Sequence, residues 1–383
     1  MHTIKIVDSI KEIKQEEWDS MIDDNVFASY GWLKTVEETY IGDINSRYIL
    51  VQDYEKLVGS AVCYVFDKTD AIINLDSLLL GRLKKYASKL GISFAPAFVC
   101  CPTFCYGKHL LVENSADPTQ KGIITDTLLN AIENMASEEK FSVSFTNVMD
   151  NESELIKVLN NRGYSKALVL PLNYLDIEWA SFEEYMGHLS TISRKMRRDV
   201  KRQINKNRKE GTTIERLDKP DRYEDRFHEL INTHHYKYNR KPFMFKKELF
   251  SKLKENLRED VAFYTSFKKG IITGLCILFK RNRTGYLSIV GVDHEKTGND
   301  FTYFNIAYYR PIADAISDKI SRLYYGRAMY ELKARRGCKT SNVYVYCRSF
   351  NKIGNIAVKP WFAFLSMWYK NKLPRRAKKA GRT

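Results

Sequence analysis

Residues 261–293, VAFYTSFKKGIITGLCILFKRNRTGYLSIVGVD, have the apolar runs and short polar turns of consecutive β-strands. Lys268, Lys269 and Gly270 supply the turn of a hairpin, and RTGYLSIVGVD predicts the next strand. Residues 301–317 then have helical spacing, and residues 321–337 begin as a strand that runs into a loop. This order of strand, strand, helix and strand predicts a mixed α/β fold.

The first half of the chain follows the same plan. Residues 47–66 predict a hairpin, residues 121–137 an amphipathic helix, and residues 141–148 a buried strand. Without detectable identity between the halves, we interpret this as a shared architecture and not as a sequence repeat.

A length of 383 residues is enough for two domains. Pro171 and a capping box at Ser181 and Glu184 mark the change of element between the halves. We expect one domain at residues 1–175, a second at 176–350, and a closing helix with a basic tail at 351–383.

The composition is that of a globular chain, with 44% hydrophobic and 13% aromatic residues. A formal net charge of +16 predicts an anionic partner: nucleic acid, a phosphorylated small molecule or an acidic membrane surface. No run approaches the roughly 18 to 20 apolar residues that span a bilayer, and the N-terminal stretch lacks the apolar core of a signal peptide. We therefore expect a cytoplasmic protein.

Seven cysteines are too few, and odd in number, for a disulfide framework. Cys100, Cys101 and Cys105 cluster, but among nearby residues His109 alone could join them as a further ligand. We expect buried or loop thiols and no metal.

The most cationic stretch is LSTISRKMRRDVKRQINKNRKEG, residues 189–211, which predicts a single helix. Its apolar stripe consists of Leu189, Ile192, Met196, Val200 and Ile204. Like charges three and four residues apart destabilise a helix unless an anion offsets them. One interpretation is a solvated basic face; the other is that a cleft between the domains binds phosphate through Arg194, Lys195, Arg197 and Arg198.

A second cationic feature is the terminal WFAFLSMWYKNKLPRRAKKAGRT, residues 361–383. Aromatic residues followed by a basic tail are typical of an interfacial helix near anionic lipid. The alternative, which we favour, is a closing helix packed on the second domain.

Several motifs, in this order, resemble the FemAB-like members of the GNAT acyltransferase superfamily, in the group labelled peptidoglycan biosynthesis/recognition, and the related CelD-type acetyltransferases. They are NVFASYGWLKTVEE (25–38), GISFAPAFVCCPTFCYGKHLL (91–111), the basic helix at 189–211, FTYFNIAYYRPIADAI (301–316) and YYGRAMYELKARRG (324–337). The resemblance covers nearly the whole chain.

This resemblance implies two tandem GNAT-like domains that transfer an acyl or aminoacyl group to an amine. It also implies that Lys333 sits beside the transferred carbonyl or a phosphate and that Arg336, in the closing Arg-Gly, binds phosphate. In the GNAT plan the donor phosphates lie at a helix start that here contains Gly298 and Asn299, although the usual phosphate loop is only faintly preserved. Glu331 and Tyr309 are candidate catalytic residues, with Asp293 and His294 as further candidate bases.

The chain departs from the family pattern at two places. Tyr330-Glu331-Leu332-Lys333 stands where relatives often carry Gly-Glu-His-Lys, so any role of that histidine is absent. Pro311 lacks a backbone donor, so the helix should kink near Ala307 or begin later than its spacing suggests.

Amine acylation needs positioning, proton removal and an oxyanion site, and no nucleophile triad. Because Gly-x-Ser-x-Gly and Walker motifs are lacking, hydrolase and kinase chemistry are disfavoured. We expect an N-acyltransferase that uses acyl-CoA or a carrier-bound acyl group, with no tightly bound cofactor. Its acceptor would be an amine on a cell-wall precursor or other small molecule.

Two alternatives stay open. One is Fem-type peptide-bond formation from aminoacyl-tRNA; relatives that use tRNA often carry a helical hairpin, which a single helix at 189–211 does not supply. The other is a non-enzymatic protein that binds RNA or an anionic membrane at its inner face. DNA is not among the expected partners.

Overall fold

The computed structural model describes residues 2–68, 71–350 and 352–380, and along the last helix it describes the side chains of residues 356 and 358–371. Within these residues the strands are, in chain order, β1 His2–Val7, β2 Ser46–Asp53, β3 Lys56–Phe66, β4 Ala97–Cys100, β5 Leu110–Val112, β6 Ser142–Met149, β7 Ser165–Leu168, β8 Leu172–Asp176, β9 Thr212–Leu217, β10 Val261–Lys268, β11 Ile271–Arg281, β12 Thr284–Val292, β13 Arg322–Tyr324, β14 Lys339–Ser341 and β15 Val343–Ser349.

The α-helices are α1 Gln15–Asp19, α2 Tyr30–Thr39, α3 Leu75–Leu79, α4 Lys84–Lys89, α5 Pro118–Glu139, α6 Ser153–Asn161, α7 Phe182–Ile192, α8 Met196–Lys209, α9 Glu224–Asn239, α10 Leu249–Leu257, α11 His294–Thr297, α12 Thr302–Phe304, α13 Arg310–Ser317, α14 Tyr330–Ala334 and α15 Lys352–Ala380. Short 3-10 helices span Ile10–Glu12, Val26–Ala28, Gly81–Leu83, Pro220–Tyr223 and Arg258–Asp260. A π-helical turn, Asn305–Tyr309, joins α12 to α13.

The chain forms two compact units. The first contains Met1–Glu37, Gly42–Pro171 and Asn342–Thr383, and the second contains Glu38–Ile41 and Leu172–Ser341. Each unit is built on one mixed sheet, so the predicted α/β class with two mixed-sheet domains is confirmed.

The first unit's sheet has the order β1-β2-β3-β4-β6-β15-β7, with β5 paired to β3. Its pairs are antiparallel except for β4 with β6. The sequence analysis assigned residues 343–349 to the second domain, whereas β15 lies between β6 and β7. The sequence pattern does not predict this pairing, because the whole second unit separates β15 from β7 along the chain.

The second unit's sheet has the order β14-β8-β13-β12-β11-β10-β9. The predicted hairpin is confirmed as β10 paired antiparallel with β11, and β12 follows as expected. Only β12 and β13 are parallel, consistent with the helical crossover between them. Half of the predicted capping box is present: the Ser181 hydroxyl accepts from Glu184 N, whereas the Glu184 carboxylate accepts from Ala180 N and not from Ser181 N.

Each sheet buries one apolar helical face. In the first unit, Ile124, Leu128 and Ile132 of α5 belong to the core that contains Phe98 and Phe145. In the second unit, residues from α7, α8 and α13 share one core with the sheet, namely Tyr185, Leu189, Val200, Ile312, Leu278 and Leu323. This packing fixes α8 against the elements that carry the candidate site.

Three local predictions were wrong. Residues 189–211 form two helices and not one, because Ser193 is extended and ends α7 before α8 begins. Residues 330–334 are helical, where a strand running into a loop was predicted, so Glu331 and Lys333 point in different directions. The closing helix α15 packs on the first unit: the Ser366 hydroxyl accepts from Leu168 N at 2.9 Å. The basic side chains beyond residue 371 lie outside the described side chains.

None of the helices in the described residues combines the length and apolar character needed to cross a membrane.

Candidate active site

The candidate site lies where two parallel strands part. Their ladder joins only Thr284–Tyr286 of β12 to Arg322–Tyr324 of β13, and β12 continues to Val292. After β13 the chain turns away through residues 325–329 and enters α14. The end of β13 is therefore followed directly by the motif that carries Lys333 and Arg336.

The loop between β13 and α14 has a strained backbone. Gly326, Ala328 and Met329 all have positive φ, of 65°, 74° and 52°. The left-handed region is unfavourable for Ala and Met, and such strain persists only where surrounding contacts impose it. Here the buried Asn173 amide donates to Gly326 O at 2.8 Å and to Ala328 O at 3.3 Å. The structure thus holds this loop in a costly conformation, as functional loops often are.

Lys333 holds the same loop from the other side. Lys333 as a whole is 4% exposed. Its ammonium donates to Tyr325 O at 2.5 Å and makes longer contacts of 3.4 Å to Gly326 O and Arg327 O. No carboxylate in the described part of the chain pairs with it, and burial lowers the pKa of Lys333 to about 8. Lys333 is therefore a buried cation that is easily deprotonated.

Arg336, one turn later, is a second buried cation. It is 3% exposed, and within the described residues no carboxylate lies at ion-pair distance. Its guanidinium donates to Leu332 O at 3.0 Å and to the Tyr309 hydroxyl at 2.8 Å, while its buried Nε has no partner in the structure. The ring of Phe304 lies 4.2 Å from the guanidinium carbon. An uncompensated buried charge is costly, so Arg336 marks a place where an anion would be stabilised.

Tyr309 and Gln203 complete this cluster. The Tyr309 hydroxyl donates to Gln203 Oε1, which also accepts from Arg336 at 3.3 Å. Burial raises the pKa of Tyr309 although the Arg336 charge opposes the shift. The phenol therefore stays protonated near neutral pH, which favours its acting as a hydrogen-bond donor.

The π-helical turn Asn305–Tyr309 explains how the helix accommodates Pro311. Pro311 lies at the start of α13, where a missing backbone donor is tolerated, and the wider turn precedes it. The helix kink predicted near Ala307 corresponds to this π-helical turn. It leaves Asn305 and Tyr309 both facing α8, since Asn305 Nδ2 contacts Gln203 O at 3.5 Å.

The cationic helix α8 is fastened to the site by its uncharged polar residues. Gln203 and Asn207 are buried, and Asn207 donates to Asp300 O at 3.2 Å and to Thr302 Oγ1 at 3.0 Å. Val200 of the predicted apolar stripe is buried as expected, whereas Ile192 is exposed. Helix α8 therefore contacts the 300–309 segment and Arg336 together.

The predicted phosphate-binding residues Arg194, Lys195 and Arg198 are exposed around the turn between α7 and α8. Arg197 pairs with Glu183. The turn lies near α14, because a Cβ on Gly337 would be 3.6 Å from Ile192 Cδ1. A role of these residues in a cleft between the two units stays a prediction.

At the other predicted phosphate site, Gly298 and Asn299 are exposed, and Gly298 has φ of 55°. The next helix start is already capped: buried Asp300 accepts from Thr302 N at 2.9 Å and pairs with Lys268 at 3.1 Å. A carboxylate thus occupies the position that the sequence analysis gave to a phosphate, and Gly298 and Asn299 keep a place in the site only as a proposal.

The remaining candidate bases differ in surroundings. Glu331 is exposed and pairs with Arg335 at 2.7 Å. Asp293 caps α11 and pairs with Arg226 at 2.7 Å, while partial desolvation and the charge of Lys237 lower the pKa of His294. Of these, Glu331 lies on α14 with Lys333.

The cysteine cluster belongs to the first unit. Cys100, Cys101 and Cys105 are buried free thiols. His109 binds the Glu152 carboxylate at 2.8 Å and Thr146 O at 2.6 Å, so both ring nitrogens are engaged within the protein.

Three residues of the site were missed by sequence reasoning: Asn173, Gln203 and Asn207. Asn173 gave no signal, because its partner loop is about 150 residues away in the chain. Gln203 and Asn207 did give one: they continue the Met196 and Val200 spacing as uncharged residues in a cationic helix.

Comparisons with known proteins agree with this architecture. The model of a FemAB-like family, described as peptidoglycan biosynthesis/recognition, matches residues 9–366. No curated protein matches the sequence significantly.

Among solved structures, FemX aligns with a TM-score of 0.58 at 11% identity, covering 93% of this chain and 100% of its own. The C-terminal domain of a putative lysylphosphatidylglycerol synthetase from Agrobacterium fabrum gives 0.55 at 11% identity, covering 91% and 96%. The L-PGS of Bacillus licheniformis gives 0.51 at 11% identity, covering 86% and 95%. At this identity the likeness establishes the fold alone, over the aligned part of the chain.

Proposed function

Because the chain belongs to the FemAB-like family of peptidoglycan biosynthesis/recognition proteins, we propose that it is an acyltransferase that forms an amide bond. It transfers an acyl or aminoacyl group from an activated, phosphate-bearing donor to an amine. The observation that carries this proposal is Arg336, a buried cation without a carboxylate partner in the described residues, beside a strained loop in the second unit.

The reaction requires little beyond this arrangement. An amine attacks an activated carbonyl, and the protein must align the two, remove a proton and stabilise the developing oxyanion. Two buried cations, Lys333 on α14 and Arg336 just after it, are suited to negative charge that develops away from water. A Lys333 ammonium that exchanges one of its 3.4 Å carbonyl contacts for the oxyanion would do this without a large rearrangement.

We assign roles on that basis. Arg336 binds a donor phosphate or carbonyl oxygen, Tyr309 orients Arg336 and donates a hydrogen bond, and Lys333 stabilises the oxyanion. Glu331 receives the amine proton, and the acyl–sulfur or acyl–oxygen bond of the donor breaks when the tetrahedral intermediate collapses, so that the thiol or tRNA hydroxyl leaves with a proton. Around this centre, Arg194, Lys195, Arg197 and Arg198 attract the phosphates of the donor, with Gly298 and Asn299 at the second phosphate position.

The donor is acyl-CoA, a carrier-bound acyl group or aminoacyl-tRNA. The expectation of a donor other than tRNA relied on a single helix at residues 189–211, and that argument lapses because the stretch contains two helices. Fem-type transfer from aminoacyl-tRNA is therefore the second candidate. The acceptor is an amine of a peptidoglycan precursor, as the family description suggests, and we place the reaction in the cytoplasm, where such donors are made.

A donor panel tests the proposal. The protein is incubated with acyl-CoA, acyl carrier protein and charged tRNA pools, each with a panel of amines, and acylated amines are identified by mass spectrometry. Transfer that disappears on treatment with ribonuclease assigns a tRNA donor, and transfer that survives assigns a thioester donor.

Lys333→Ala separates an enzyme from a basic binding protein. We expect it to lose turnover while the circular dichroism spectrum stays that of the wild type. Unchanged transfer in this variant would show that the site is wrongly assigned. Salt-sensitive RNA binding with no transfer from any donor would favour the non-enzymatic alternative.

A further inference from the structure

A short segment of the first unit, GRLKKYASKLGISF at residues 81–94, exposes its large apolar side chains. Leu83, Tyr86, Leu90 and Ile92 are exposed, Tyr86 to 66% and Leu90 to 75%. The small Ala87 is buried, whereas the bulky Leu83, Tyr86 and Leu90 around it are not. This segment therefore presents large apolar side chains to water.

The closing helix α15 has the same property. Phe362 and Leu365 are buried, and they attach the helix to the first unit. On another face, Ile356, Phe364, Met367 and Trp368 are exposed, Ile356 to 73%. Their spacing of eight, three and one residues keeps them within one stripe of the helix. α15 is thus apolar on a packed face and on an exposed face.

The two segments are neighbours. The ring of Phe94, at the end of the first segment, lies 6.1 Å from the ring of buried Phe362 on α15. Ile92 precedes Phe94 by two residues, and Phe364 follows Phe362 by two. We call the exposed residues of 81–94 and 352–371 the apolar-basic surface. Exposed apolar side chains gathered on two touching segments of a folded chain are typical of an interaction site.

The charge of this surface has one sign. Residues 81–94 contain Arg82, Lys84, Lys85 and Lys89 and no acidic residue, and residues 352–383 likewise contain no Asp or Glu. Lys84 contacts Asn74 and Ser77. Within the described part of the chain, no ion pair involves the other basic residues of this surface, which are Arg82, Lys85, Lys89, Lys359 and Lys370. The cations are therefore available to an external anion.

We propose that the apolar-basic surface docks the protein onto an anionic lipid bilayer. Apolar side chains inserted among the headgroups leave water, and interleaved Lys and Arg side chains reach the lipid phosphates. A second copy of the chain is a poorer occupant, because pairing this surface with itself would bring like charges together. RNA would satisfy the cations but would leave aliphatic residues such as Leu90 and Ile356 in water. The inference does not depend on the transferase activity.

Vesicle sedimentation tests the proposal. The full chain is mixed with vesicles of phosphatidylcholine, or of phosphatidylcholine with phosphatidylglycerol. We expect binding to the anionic vesicles, weakened by salt. The double variant Leu90→Glu with Trp368→Glu should bind anionic vesicles at least about tenfold more weakly. Two apolar contacts are lost, and the two added carboxylates have the same sign of charge as the lipid phosphates. The matched control is Tyr236→Glu with Tyr238→Glu, which adds the same two negative charges at exposed aromatic residues of α9 in the second unit.

A fluorescence measurement makes the result independent of the double variant. Trp368 is exposed, so its emission should shift to the blue when anionic vesicles are added, and Trp368→Phe should remove that shift. Failure to bind anionic vesicles, or equal binding by the double variant and the control, would overturn the proposal. Concentration-dependent dimerisation abolished by the same substitutions, without vesicle binding, would overturn it in favour of a second copy.

Discussion

Arg336 is held in place without a compensating charge, and this has opposite consequences for stability and activity. Its guanidinium has hydrogen-bond partners in Leu332, Tyr309 and Gln203, yet its Nε is unsatisfied. Replacing a buried charge with an apolar side chain of similar volume is often neutral or stabilising. A residue retained at such a cost is best explained by the ligand that it binds.

For Arg336→Met we expect an unchanged or higher melting temperature together with a fall in kcat/KM of about tenfold to a hundredfold. The fall corresponds to one charge-assisted hydrogen bond of roughly 1.5–3 kcal/mol. Thermal unfolding and steady-state kinetics measure the two effects. Arg335→Met is the control, because Arg335 is exposed and pairs with Glu331. A destabilised variant with normal kinetics would make Arg336 a structural residue.

Lys333 predicts a pH dependence. With a pKa of about 8, its ammonium form is lost as pH rises through about 8, and oxyanion stabilisation is lost with it. The amine acceptor becomes more nucleophilic over the same range, so the wild-type rate should pass through a maximum. In Lys333→Arg the falling limb should be absent, because arginine stays charged. A falling limb that persists in this variant would assign it to another group.

The same shift has a consequence for stability. The pKa of Lys333 is lower in the folded protein than its ordinary value of 10.5, so the unfolded chain binds more protons between about pH 8 and 10.5. Lys333 therefore makes the free energy of unfolding rise with pH in that window. Lys333→Met should remove this rise, which chemical denaturation at several pH values would detect.

Packing of elements sets the position of β12, which continues beyond its pairing with β13. A Cβ on Gly291 would lie 2.7 Å from Ile231 N and Leu230 C, so α9 approaches the strand as closely as a glycine permits. Backbone atoms cannot move aside as a flexible side chain can. This contact sets the distance between α9 and β12, the strand next to the candidate site.

Gly291→Ala should therefore destabilise the protein by about 1–3 kcal/mol, the usual cost of overpacking. Gly122→Ala in α5 is the matched control: its Cβ would meet nothing within 4 Å, and alanine is favoured in a helix by up to about 1 kcal/mol. Melting temperatures of the two variants should shift in opposite directions. Equal shifts would contradict the close packing of α9 on β12.

How far the sequence predicts these elements depends on the range of the forces involved. The β10–β11 hairpin follows from alternation and a local turn, and it was predicted with its turn residues. The break at Ser193 and the five-residue helix α14 were not, because tertiary contacts decide them: Tyr185 donates to Arg336 O, and Lys333 binds the preceding loop. Short elements lack the periodicity that reveals longer ones.

At the scale of the molecule, sequence order indicated two similar halves but not the return of β15 to the first sheet. In chain order β15 follows the whole second unit, so the pairing of residues 343–349 with β6 and β7 depends on contacts distant in sequence. The residues that form the candidate site, in contrast, all lie within the second unit between Leu172 and Ser341. The Arg336 cluster needed the structure, because Gln203, Tyr309 and Arg336 are far apart in sequence.

The central claim is that the second unit forms an amide bond at the Arg336 cluster. The most direct measurement follows an isotope-labelled acyl or aminoacyl group from its donor to the amine of a peptidoglycan precursor, with the wild type, Arg336→Met and Arg335→Met compared at equal concentration. The account predicts labelled amide with the wild type and Arg335→Met, and at least about tenfold less with Arg336→Met. No labelled amide from any donor class, or equal amounts from all three proteins, would contradict it.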